Sequence, residues 1–286
     1  MRVRGLLSTF AALFASCGGQ VSLPEDAEGT AETIIIKLSE NQPQVLWEAL
    51  PKSYQVDANQ LARKAIASLD SEIYDKVLSI LNKTNKILRE KKVFLLSSSQ
   101  MGLLAKDLEE ASANWNALTE LLTIILNSQL GSFEKAQKVD IGKLLEDTGS
   151  ILMGKIATIS AMTKEDIWQK EFVRKLKAVR IEKVSGSSKE TLLQVTGPDG
   201  ISEQQNWTKV EGKWIPREVE IGWGENIAKA RETIAKNDTD GVDGKFGVML
   251  MLGMIEGILD RLDKSSTQEE FETTLRNLAE FGNFGE

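Results

Sequence analysis

The apolar residues of this chain change their spacing twice along its length, and that change limits the folds open to it. From about residue 31 to 178 they recur every three or four positions, the period of a helix packed on one face. Across Val179-Arg180-Ile181-Glu182-Lys183-Val184 the spacing falls to two, the period of a strand with one buried face. Leu192 to Thr196, Glu203 to Val210 and Lys213 to Val219 read as further strands. The turn sequences Gly197-Pro198-Asp199-Gly200 and Glu211-Gly212 separate them. Helical spacing returns at about 224–236, 246–262 and 267–281. Strands grouped between groups of helices predict an α+β, predominantly helical chain. It has a helical N-terminal body, a four-stranded antiparallel meander, and C-terminal helices packed on it.

With Glu211-Gly212 as a two-residue turn, Val210 faces Lys213 and Lys209 faces Trp214. Trp207 then shares a sheet face with Trp214 as its diagonal neighbour, and a face carrying two indoles is expected to be buried under a helix.

Within the helical parts, Ile34-Ile35-Ile36 fits a short helix or a strand. Ser53 or Asp57 is the expected cap of a helix running to Leu69, and Asp70 or Ser71 that of the next, to about Lys91. Leu104, Leu108, Ala111, Trp115, Leu118, Leu122 and Ile125 form a heptad-like stripe. Leu103, Leu121 and Ile124 broaden it, which suits a buried bundle helix better than an oligomer seam. Asp140 predicts a helix through about Ser150, with Gly154 interrupting the apolar run after it, and Thr163-Lys164-Glu165-Asp166 a capping box for a helix to about Lys177. Gly247 to Leu259 is apolar except for Glu256 and too short to span a bilayer, so it reads as a core helix.

The first residues, MRVRGLLSTFAALFASC, place Arg2 and Arg4 before an uncharged apolar run and then small residues, the layout of a secretory signal. Cys17, the only cysteine, stands where cleavage is expected. Phe14-Ala15-Ser16-Cys17 resembles the lipobox of bacterial lipoproteins, departing from it at Phe14, where that family prefers Leu. The resemblance implies a diacylglycerol on the Cys17 thiol, cleavage before Cys17 and acylation of the new amine. Two or three acyl chains anchor stably where one binds only marginally. The resemblance and Gly18 after the cysteine together imply the outer membrane rather than the inner, with the body in the periplasm. The expected organisation is a signal peptide at 1–16, a flexible lipidated tether at 17–30, a helical bundle at 31–165, and the sheet with its flanking and C-terminal helices at 166–286.

Charge and composition then narrow the chemistry. Removing residues 1–16 leaves 33 basic against 42 acidic residues, a net charge of −9. An acidic body repels phosphate backbones, so no nucleic-acid partner is expected. The chain has no histidine, which removes Ser-His-Asp and Cys-His catalysis and His-ligated metals. Acylation of Cys17 would remove thiol chemistry as well. No cofactor is implied. Asp238-Thr239-Asp240-Gly241-Val242-Asp243-Gly244 has the look of a calcium loop, but position 5 is Val242, position 6 Asp243 and position 12 Met249, so it fails the EF-hand pattern. It reads first as a helix-capping turn, with Asp238, Asp240 and Asp243 as a weak calcium candidate. Six Trp against two Tyr admit a glycan-stacking surface, although core filling explains them more simply. The meander ending in Trp207-Thr208-Lys209-Val210-Glu211-Gly212-Lys213-Trp214 resembles the cone-shaped SnoaL-like domains, but that family's Asp/His positions find no match here.

These readings favour a membrane-anchored, non-enzymatic envelope module that binds a protein or a glycan. The alternatives are a carboxylate-dependent hydrolase or isomerase with a SnoaL-like pocket, and a lipid carrier.

Overall fold

The computed structural model describes residues 22–100, 107–162, 169–237 and 241–282. It is a predominantly helical α+β chain with one four-stranded antiparallel sheet, helices preceding and following it. The chain forms two compact units that interleave along the sequence. One comprises the chain to Ala65, Val139–Gly154 and Ile167–Ile234; the other comprises Ile66–Lys138, Lys155–Asp166 and the chain from Ala235.

The first unit is built on the meander. Strands β1 (Arg180–Gly186), β2 (Glu190–Thr196), β3 (Ser202–Val210) and β4 (Lys213–Pro216) lie in sequence order. Val210 pairs with Lys213 and Lys209 with Trp214, the expected register. Glu211 and Gly212 both have positive φ, 49° and 81°, which makes the connection a type I′ turn. Such a turn matches the right-handed twist of the strands it joins.

One sheet face carries Ile181, Leu193, Val195, Trp207 and Trp214, all buried. Helix α1 (Ala27–Ser39) covers it with Ala27, Ala31, Ile34, Ile35 and Leu38. Helix α2 (Gln44–Ala49) adds Val45, Leu46 and Ala49, and Leu176 comes from α10 (Gln169–Ala178). The ambiguous Ile34-Ile35-Ile36 run is therefore helical, two isoleucines packed inward and Ile36 in solvent. The roof over the two indoles comes from the N-terminal side of the chain.

The end of the stretch expected to be a flexible tether is folded. Ala27–Thr30 form the first turn of α1, and Asp26 caps it by accepting from the Gly29 N–H at 2.8 Å. The Thr30 hydroxyl, buried, donates to the carbonyls of Pro24 and Asp26. The Trp214 indole N–H donates to the Glu25 carbonyl at 2.7 Å, which ties the chain entry to the sheet. A Cβ on Gly142 would stand 2.3 Å from the Trp47 indole nitrogen, so that position is closed to a side chain.

The second unit is built on two parallel helices, α4 (Ser71–Glu90) and α12 (Gly241–Lys264). Asp70, rather than Ser71, is the cap of α4, accepting from the Glu72 and Ile73 N–H groups. Ile87 packs with Leu259 and Leu262 of α12 and with Phe271 of α13 (Gln268–Gly282). Beside this apolar seam runs a ladder of lysines on α4 and carboxylates on α12. Lys83 meets Glu256 at 3.0 Å and Asp260 at 2.5 Å, and Lys86 meets Asp263 at 2.7 Å. Lys76 also pairs with Glu256, and Ser79 donates to it at 3.1 Å. At the other end Lys245 of α12 reaches Asp70 and Glu72. The register is constant: for Lys76, Ser79, Lys83 and Lys86 the hydrogen-bonded acid lies 177 to 180 residues later.

Two local expectations need correction. The heptad stripe is not one helix but two, Leu108–Asn114 (α6) and Asn116–Asn127 (α7), divided at Trp115. The Trp115 side chain is buried, and its N–H donates to the Leu88 carbonyl at 2.6 Å. Helix α9 (Ile141–Met162) runs straight through Gly154, where a Cβ would meet nothing. One glycine costs about 1 kcal/mol of propensity, too little to end a helix of that length. Leu104 and the Thr163–Asp166 capping sequence lie outside the described residues.

Two stability effects follow from these units. Trp207→Ala opens a cavity under α1 and should lower stability by about 3–5 kcal/mol, read from urea unfolding. Glu256→Ala leaves Lys76 and Lys83 without their shared carboxylate. It should cost about 1–3 kcal/mol in the same assay, and Glu256→Gln should recover part of that loss.

Candidate functional site

Helix α12 presents two different apolar faces. Leu252, Leu259 and Leu262 are buried in the second unit. The opposite side carries Phe246, Leu250 and Met254, which are 71%, 56% and 41% exposed. At 3.6 residues per turn these three fall on one stripe together with Gly253 and Gly257. A Cβ on either glycine would meet nothing within 4 Å, so bare backbone lines the stripe between the large side chains. Met251 adds exposed apolar surface toward its edge. The expected core helix is thus core on one side only. The acids that break its apolar run, Glu256, Asp260 and Asp263, mark the edge that packs on α4. A folded surface rarely leaves so many adjacent large apolar side chains uncovered without an interaction to account for them.

The first unit offers a different surface. An open cleft of about 460 Å³ lies beside the chain entry, lined by Leu23, Pro24, Glu25, Glu48, Glu211, Lys213 and Trp214. Its carboxylates include one with a defined task. Glu211 sits at the left-handed turn position and accepts a hydrogen bond from the Ser53 N–H at 3.1 Å. That N–H belongs to the first turn of α3 (Lys52–Ala67), where backbone donors lack helical partners and a negative charge is favoured. Hydrogen bonds from the Ser53 side chain and backbone hold the Glu211 carboxyl below the ordinary glutamate range. Glu211 is therefore ionised at neutral pH and acts as a cap rather than a proton donor.

Nearby, the rings of Tyr54 and Trp223 stack at 4.2 Å and 5°, with Trp223 on α11 (Arg217–Asn237). The Trp223 N–H donates to Asp57 at 3.2 Å, and Arg231 meets the other Asp57 oxygen at 3.1 Å. Burial, then the charges of Glu220, Glu211 and Asp57, push the Tyr54 hydroxyl up, so it stays protonated. Trp47, Trp115, Trp207 and Trp214 are buried, in keeping with the core-filling explanation, while Trp168 lies outside the described residues. Trp223 is the half-buried member of the set, and sequence spacing alone did not single it out.

Cys17, Asp238 and Asp240 lie outside the described residues, and Asp243 falls in the first turn of α12. Among the described residues no group of three or more Asp, Glu, His or Cys is arranged to hold a metal ion. No described helix is long and apolar enough to cross a membrane. No protein-family model, no curated protein and no solved structure matches this chain.

The Glu211 cap gives the first unit an acid sensitivity. Its folded-state pKa is depressed, so its contribution is present above the unfolded value and is lost as pH falls through the folded one. Urea midpoints measured from neutral pH down through the carboxylate range should therefore fall more steeply for the native chain than for Glu211→Gln. The two curves should converge at the acid end.

Proposed function

We propose that this chain is an exported bacterial lipoprotein, held on the outer membrane by acyl chains on Cys17, whose body works in the periplasm by associating with another protein rather than by turning over a substrate. The uncovered apolar stripe of α12 carries the association reading, because exposed Phe246, Leu250 and Met254 gain free energy only when something covers them. The filled sheet supports it from the other side. In a SnoaL-like pocket the concave sheet face would hold a substrate, whereas here that face is occupied by Trp207, Trp214, Leu193 and the isoleucines of α1. The membrane anchor rests on the N-terminal sequence: a cationic start, a short apolar run, and the sole cysteine after small residues.

The anchor is tested by intact-mass analysis of the chain purified from bacterial envelopes. A mature species beginning at Cys17 and carrying acyl chains is expected, and Cys17→Ser should move the body to the soluble fraction. An unacylated native chain would sink the anchor. Association is tested with a photoreactive residue at position 250 in intact cells. A reproducible protein adduct is expected, one that disappears when Met254 is changed to Glu. No adduct with any protein would remove the association reading.

A further inference from the structure

We infer that the bilayer holding Cys17 lies against one end of the first unit, the end that carries the chain entry and the β3–β4 turn, and that the short link to Cys17 holds it there. The inference rests on the anchor reading and names the surface that faces the lipid.

The length of chain ahead of the fold carries it. Residues 17–30 are expected from the sequence to form a tether, yet the backbone is fixed well before residue 30. The Thr30 hydroxyl donates to the Pro24 carbonyl, and the Trp214 indole and the Lys209 ammonium both donate to the Glu25 carbonyl. Leu23 already packs against the core between α1 and the sheet. From Cys17 to Leu23 there are six Cα–Cα steps, which reach about 21 Å at full extension. Any departure from full extension shortens that reach. Diacylglycerol on the thiol sets Cys17 at the inner boundary of the headgroups, and the headgroup layer takes up roughly 5–7 Å of the same distance. The entry end of the unit therefore has almost no room to leave the bilayer surface.

The surroundings of the entry follow from the sheet. Ser22 and Leu23 line the open cleft together with Glu48, Glu211 and Lys213, so the chain passes along this cleft on its way to Cys17. Strand β3 runs from the opposite end of the sheet to this one, and its nine residues span about 27 Å. The Gly197–Gly200 turn, with Pro198 and Ile201, is thus the far end. Both signs of charge occur at the entry end, Glu25, Glu48 and Glu211 with Lys52, Lys209 and Lys213. A zwitterionic headgroup presents an ammonium and a phosphate, and so meets this surface without the repulsion that an anionic leaflet exerts on a body of net charge −9.

The test uses the full-length, acylated chain bound to phosphatidylcholine vesicles that contain lipid with a nitroxide on its headgroup. Cys17 is blocked by its own acylation, so a fluorophore goes to one introduced cysteine. The entry end takes Glu25→Cys or Lys213→Cys and the far end Pro198→Cys or Ile201→Cys, all at positions at least partly open to solvent. Two positions at each end guard against a single variant that fails to fold, which circular dichroism reports. Quenching at 25 and 213 should exceed that at 198 and 201 by at least about twofold, given the length of strand between the two ends. Inserting about twenty Gly and Ser residues between Gly19 and Gln20, a coil averaging roughly 25 Å, should remove most of that difference. Equal quenching at the two ends, or stronger quenching at 198 and 201, on a chain that floats with the vesicles overturns the inference and leaves the anchor reading standing. A difference that survives the insertion overturns it as well, because the short link is then not what holds the face. A native chain that carries no acyl group and does not float with the vesicles removes the anchor reading and this inference together.

Discussion

A four-stranded sheet with one apolar face cannot stand in water until something covers that face, and the first unit depends on how α1 does so. The cover is fastened at its leading edge by the Trp214 indole, which fills the sheet face with its ring and holds the Glu25 carbonyl with its N–H. Lys209 lies over the same ring and reaches the same carbonyl. From that fixed point Asp26 caps α1, and the isoleucines of the helix fall onto Leu193 and Trp207. A second fastening comes from the type I′ turn, where Glu211 accepts a left-handed backbone that glycine or asparagine adopts more easily and uses its carboxylate to cap α3. Local strain and a distant cap are thus coupled in one residue.

The second unit solves a different problem. Parallel helices cannot be joined by a short loop, and α4 and α12 are separated by most of the chain. Their alignment is specified by side chains alone. The lysines of α4 and the acids of α12 recur at matching intervals, so a slip of one turn would exchange the partners of Lys83 and Lys86 and leave one rung of the ladder without a partner. Each pair is partly exposed and individually weak, yet together they fix the register of an apolar seam that Leu259 and Leu262 would tolerate in several positions.

Much of this architecture was legible in the sequence, because period and turn chemistry are local. The change of period at Val179, the Glu211-Gly212 turn and the Asp70 cap each follow from a few adjacent residues. The failures were of non-local origin. Nothing near Trp115 announces that its indole N–H seeks the Leu88 carbonyl, and nothing near Gly154 says that packing carries the helix past it. The candidate surface was hidden for the same reason. Residues 247–259 are apolar around nearly the whole helix, so the sequence pattern cannot tell the side that meets α4 from the side that meets solvent. Glu256, read as an interruption, is the residue that marks the buried edge; its meaning appears only once Lys76 and Lys83 are beside it.

The interleaving of the two units bears on how the chain reaches its folded state. The bond from Trp214 to Glu25 spans 189 residues, and the rung from Lys86 to Asp263 spans 177. A polypeptide that emerges amino end first holds α1 with its isoleucines bare until the meander arrives, and α4 with its lysines unmatched until nearly the last helix is made. Long-range closures of this kind are slow, and each leaves apolar surface waiting in solution. Such a chain has no early autonomous fragment to shelter behind. The order of synthesis sets a long interval in which that apolar surface is open to aggregation and proteolysis.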